Sequence, residues 1–149
     1  MVRAIVVVSL VIGAIALVVF GPRFLDTTAD VAERPPCDLL KAPCEWTTKD
    51  GDWRITLVST EPGTQGMEYR LSVTVPKAPD RFLAVLRGQS MYMGEYPVPL
   101  VREQPLEYQA RFTAPFCTTG ADMIWRIDLQ DGQEKLQNVP WALVFQAQK

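Results

Sequence analysis

Between Ala4 and Phe20 the chain reads AIVVVSLVIGAIALVVF, a stretch without a charge that is bordered by Arg3 and Arg23. A helix across the hydrocarbon core of a bilayer needs roughly 20 mostly apolar residues, with about 17 as the lower limit. The uncharged run continues to Pro22 and meets that length. A cleaved signal would carry a shorter apolar core and a small-x-small site directly behind it. Gly21-Pro22-Arg23-Phe24 offers no such site, and the candidate Thr27-Thr28-Ala29 lies well beyond the apolar end. Residues 1–23 therefore read as an uncleaved signal-anchor, a single transmembrane helix, and everything after them as chain held close to a membrane.

Orientation follows from flanking charge. Arg3 and the amino terminus favour a cytoplasmic start. Arg23 opposes this, but Asp26, Asp30 and Glu33 follow it. The C-terminal part is accordingly expected outside the cytoplasm, on the periplasmic side of a bacterial inner membrane.

Residues 24–36 read as a tether that ends in Arg34-Pro35-Pro36, a short extended spacer. Residues 37–149 are left for one domain of ordinary size. Of the 15 basic residues, Arg3 and Arg23 border the anchor, so thirteen remain against 17 acidic ones, a balance of −4. No basic face survives that balance, and nucleic acid is excluded as an expected partner. Histidine is absent. Its absence removes Ser-His-Asp and Cys-His nucleophile activation, and with them the commonest hydrolase chemistry. It also removes zinc and copper centres built on imidazole. No phosphate-binding or calcium-binding loop pattern is present. The expectation is a protein that is not an enzyme.

Beyond the tether the hydrophobic period is two. Trp53, Ile55 and Leu57 alternate with polar neighbours, and Glu61-Pro62-Gly63 reads as a turn. Met67, Tyr69, Leu71, Val73 and Val75 share one face of the clearest strand. Further strands are expected over Arg81–Arg87, Tyr108–Phe112, Met123–Leu129 and Trp141–Ala147, with a turn at Asp131-Gly132. Seven or eight short strands, set off by many of the 12 prolines, predict an all-β fold, an immunoglobulin-like antiparallel β-sandwich. A small barrel is the alternative.

Two clusters carry the chemistry. Gln89-Ser90-Met91-Tyr92-Met93-Gly94 places two thioethers on one face of extended chain, and Cys117 to Trp125 does the same for Met123 and Trp125. Each lies beside a glycine or proline break, where strands end and loops carry sites. Thioether and thiolate are soft ligands that select Cu(I). Met91, Met93, Cys117 and Met123 are thus the candidate metal ligands, with Trp125 available for a cation–π contact. The competing reading makes Met123 and Trp125 ordinary core residues, since they continue the face of Ile127 and Leu129.

Three cysteines leave one over outside the cytoplasm. Proximity favours a disulfide between Cys37 and Cys44, leaving Cys117 as a free thiol or a small buried hydrophobe. Cys44 with Cys117 is the other pairing, and spacing alone does not decide between them.

The sequence of features — an anchor, Cys37 and Cys44, strands, Met91-Tyr92-Met93-Gly94, then Cys117 to Trp125 — resembles a group of small membrane-anchored bacterial proteins with Met-x-Met-Gly and Cys-x5-Met-x-Trp stretches. In layout it is also similar to FixH-type and YtkA-like proteins. That resemblance implies an immunoglobulin-like periplasmic domain tied to oxidase assembly or copper supply. The expected function is a membrane-anchored accessory protein that binds Cu(I) and serves a membrane oxidase or another envelope protein. The alternative is a non-catalytic interaction module of the envelope with no metal.

Overall fold

The computed structural model describes residues 34–63, 66–89, 93–115 and 123–147. The expected anchor and the tether up to Glu33 lie outside the described residues, as do Met91 and Cys117. Among the described residues no helix is long and apolar enough to cross a membrane. The strand-built unit begins at Pro35.

Among the described residues eleven strands form two sheets. In chain order they are β1 (Pro36–Asp38), β2 (Cys44–Thr48), β3 (Gly51–Gly63), β4 (Gly66–Thr74), β5 (Phe82–Gly88) and β6 (Glu95–Pro99). After these come β7 (Val101–Gln104), β8 (Glu107–Thr113), β9 (Ile124–Asp131), β10 (Glu134–Lys135) and β11 (Ala142–Gln146). One sheet has the order β1-β11-β9-β5-β6, with β10 paired to β9; the other has β2-β3-β4-β8-β7. The all-β expectation holds, and the two layers enclose one core.

That core follows from the alternation in the sequence. Phe82, Ala84, Leu86, Trp125, Ile127, Leu129, Leu143 and Phe145 come from the first sheet. Ile55, Leu57, Tyr69, Leu71, Val73, Tyr108 and Ala110 come from the second, and all are buried. Side chains two apart share a face, so each strand delivers its apolar set to one side. Asp128 is the exception to polar-out exposure, being only 6% exposed on the other face of β9. Arg126 (3.1 Å), Arg87 (3.5 Å) and Lys135 (3.5 Å) surround its carboxylate, and Arg87 also reaches Glu95 at 3.0 Å.

Three features depart from the sequence expectation. First, β1 runs parallel to β11, with Pro36 opposite Ala142 and Asp38 opposite Val144, so the sandwich is not purely antiparallel. Second, Glu61-Pro62-Gly63 is not the turn. β3 continues through it past an irregularity between Ser59 and Pro62, and Gly63 pairs with Gly66. A bulge tolerates a proline that a regular ladder would not. Third, β6 and β7 lie in a stretch to which the sequence reading assigns no strand. Leu100 N donates to Phe82 O at 3.0 Å, and the alternation then assigns the ladder donors of β6 to Tyr96 and Val98. Pro97 and Pro99 fall on the open edge, where a missing N–H costs nothing and blocks strand addition.

The registers define two ends. At the proximal end the chain enters at Pro35, whose carbonyl accepts from Ala142 N at 3.0 Å. The β2–β3 and β7–β8 hairpins also lie there. At the distal end are the β3–β4 hairpin, the end of β5 at Gly88, the start of β6 at Glu95, the end of β8 at Thr113, the start of β9 at Ile124, and Ala147. The proximal end is filled by aromatic rings. Trp46 stacks on Trp53 at 5.4 Å, Trp53 meets Phe82 edge-on at 6.5 Å, and Phe82 meets Tyr108 at 5.1 Å.

Two consequences for stability are expected. Cys37 and Cys44 are joined by a disulfide, with Cα atoms 6.1 Å apart, which links β1 of one sheet to β2 of the other. Closing so short a loop constrains the unfolded chain, so Cys37→Ser with Cys44→Ser should lower unfolding free energy by about 2–3 kcal/mol in urea titrations. Gly51 has φ +128°, and a Cβ built there would sit 2.8 Å from the Pro76 Cβ. Gly51→Ala should therefore lose about 1–3 kcal/mol, read as a fall in the thermal midpoint.

Candidate functional site at the distal end

The distal end is built in two rungs. The lower rung is aromatic. Tyr69 of β4 meets Phe145 of β11 across the layers at 5.1 Å. Phe112 of β8 lies 6.0 Å from Phe145 and 5.8 Å from Tyr69. Trp125, paired with Phe145 in the sheet, meets the ring of Tyr96 edge-on at 5.5 Å. Five rings thus form a floor that spans both sheets, with Trp125 and Tyr69 wholly buried.

One step of two residues further along each strand gives the upper rung. Met67 follows from Tyr69, Ala114 from Phe112, Met123 from Trp125 and Ala147 from Phe145. The backbone continues the pairing there, since Ala147 N donates to Met123 O at 2.9 Å. Gln89 N donates to Ile124 O at the same distance, which holds the end of β5 against the start of β9. Met123 (5% exposed) and Ala114 (1%) are buried, and Met67 and Met93 are half-buried against the core. The two alanines leave the methionines as the bulky members of this rung.

Met93 arrives by a different route. Gly94, between it and β6, has φ +85°, and a Cβ there would meet nothing within 4 Å. Conformation, not space, calls for glycine at this position. The left-handed residue redirects the chain as it enters β6, and Met93 packs half-buried against the core.

Of the sequence-derived site residues, the structure brings Met93, Met123 and Trp125 to one end of the sandwich. Met91 and Cys117 lie outside the described residues. Trp125 also has a structural role, because its Nε1–H donates to the Pro115 carbonyl at 3.0 Å. That bond anchors the last described residue before the connection that carries Cys117. Three contributors escape the sequence reading, namely Met67, Tyr96 and the Phe112–Phe145 pair. Met67 is legible as the first member of the face it shares with Tyr69. Tyr96 is hidden because β6 is hidden.

The chemistry available here is soft and apolar. The thioethers of Met67 and Met123 belong to residues one alternation step beyond the aromatic rings of the same strands. Among the described residues no three Cys, Asp or Glu side chains gather where they could hold a metal ion. A hard divalent cation thus finds no carboxylate cage in the described part, whereas a thioether rung suits a soft monovalent ion. No protein family, curated protein or solved structure matches this chain.

The indole of Trp125 ties floor to rim. Trp125→Phe removes the donor to Pro115 and leaves that carbonyl without its partner. The variant should lose about 1–3 kcal/mol of stability in urea unfolding, and an unchanged midpoint would show that the bond holds nothing.

Proposed function

We propose that this protein is a membrane-anchored accessory protein of the bacterial cell envelope that binds Cu(I) through Met91, Met93, Met123 and Cys117. In this reading residues 1–23 are the anchor, the strand-built domain is immunoglobulin-like and faces the periplasm, and the ion passes to a membrane oxidase or another copper-handling partner. The layout it shares with FixH-type and YtkA-like proteins belongs to the same proposal. The observation that carries it is the placement of Met93 and Met123 at one end of the sandwich, beside an aromatic floor. The strand pairing supports the immunoglobulin-like reading: β4 between β3 and β8 in one sheet, β9 between β5 and β11 in the other.

Each element contributes something distinct. The thioethers supply soft, neutral donors that do not themselves offset the ion's positive charge. The aromatic rings below stabilise that charge by their quadrupoles and exclude water. A thiolate at Cys117 would neutralise the ion outright and raise affinity. Tyr96 (40% exposed) and Ile124 (39%) flank the same end and offer apolar surface to a receiving protein.

Cu(I) titration of the reduced protein against a competing chelator tests this reading. Replacing Met91 and Met93 together by leucine keeps volume and apolarity but removes both sulfurs. Affinity should fall by at least about a hundredfold, two lost ligands at roughly a tenfold each. Unchanged affinity would show that the ion, if bound, sits elsewhere. An interaction module without metal would instead show no Cu(I) binding and would retain its partner on crosslinking.

A further inference from the structure

The upper rung contains a methionine that no motif in the sequence marks. We propose that Met67 is a further thioether of the distal site and that the site draws on both sheets. The inference rests on the Cu(I) reading above and deepens it by adding a ligand and naming the class of ion.

Met67 opens β4, the central strand of its sheet, and Met123 precedes β9, the central strand of the other. Packed sheets lie about 10 Å apart, and a methionine sulfur reaches roughly half that distance from its backbone. The rung below shows that these strands face one another at this height. Tyr69, two residues beyond Met67, touches Phe145 across the layers, and Phe145 pairs with Trp125, two residues beyond Met123. Alternation returns Met67 and Met123 to the same interior face one step closer to the rim. On the same step Ala114 is buried and Ala147 packs half-buried against the core. Met93 lies against the core from a third direction.

Register also explains why Met67 points inward. Pro62 pairs with Met67 across the irregularity in β3, while Glu68 pairs with Thr113 on the other side. Met67 is thus paired on the β3 side and follows directly on from the β8 ladder, and it packs half-buried against the core. Three neutral sulfurs, those of Met67, Met93 and Met123, select a soft monovalent ion, Cu(I) or Ag(I), over Zn(II), Ca(II) or Mg(II). A ligand from each sheet makes the bound ion a cross-layer tie, as the disulfide is between β1 and β2.

The chain has five methionines, so a full-length sample in detergent micelles, labelled with carbon-13 at the methionine methyls, gives a spectrum simple enough to assign by single Met→Leu variants. Ag(I) serves as the probe because it is soft, monovalent and does not cycle between oxidation states. On titration the Met67, Met93 and Met123 methyl signals should move together and saturate at one equivalent, while Met1 stays fixed. Met67→Leu should weaken Cu(I) binding by at least about tenfold against a chelator, with thermal midpoint little changed because the swap conserves volume. If the ion binds but the Met67 methyl does not move and Met67→Leu binds as the wild type does, Met67 is no ligand, and the site proposed on Met91, Met93, Met123 and Cys117 stands without it. If the wild-type protein binds neither ion, both proposals fall. The methyl spectrum of the unmutated chain decides the matter even where a variant does not fold.

Discussion

The contact between Tyr69 and Phe145 sets the geometry of the distal end. Two rings from opposite sheets, 5.1 Å apart, fix the height at which the layers meet. Phe112 and Trp125 extend that level to either side, and Tyr96 closes it at the edge. Aromatic pairs contribute on the order of 0.5–1.5 kcal/mol each beyond the area they bury. Their greater effect here is positional. Once the rings are in register, every residue two further along each strand is committed to the rung above, and the methionines stand where they do because of the rings below them.

The two ends of the sandwich are closed by different chemistry. At the proximal end Trp46, Trp53, Phe82 and Tyr108 form a continuous chain of rings. At the distal end, among the described residues, the rings stop one rung short and methionines follow. A stability argument alone favours more rings, or leucine, at that last rung, since methionine is flexible and specifies packing weakly. Methionine at three separate points of the distal end is therefore a local departure from the best core filler, and such departures gather at functional sites. The disulfide between Cys37 and Cys44 ties one side of the two sheets together without occupying the rim.

Much of this architecture is readable from alternation. The faces carrying Tyr69, Leu71 and Val73, and Trp125, Ile127 and Leu129, are plain because burial on one side of a sheet imposes a period of two. β6 is not plain, because Pro97 and Pro99 argue against a strand unless its position at an edge is already known. The bulged end of β3 misleads for a similar reason: Pro62-Gly63 has the composition of a turn, and only pairing with Met67 and Gly66 shows it to be a ladder. The same composition conceals the role open to Met67, which then resembles the first residue after a turn. Asp128 is equally silent, since the three cations that permit its burial come from β5, β9 and β10.

The distal end also explains why the Met-x-Met-Gly and Cys-x5-Met-x-Trp stretches contain the residues they do besides sulfur. Gly94 is needed for its positive φ, which lets the chain present Met93 to the core and still enter β6 in register with β5. Trp125 is needed because its indole does two things at once, filling the floor against Tyr96 and holding the Pro115 carbonyl. Phenylalanine supplies only the first of these. The glycine and the tryptophan are therefore scaffold for the thioethers. Each fixes the direction from which one methionine approaches the rim: Gly94 that of Met93, and Trp125, through β9, that of Met123.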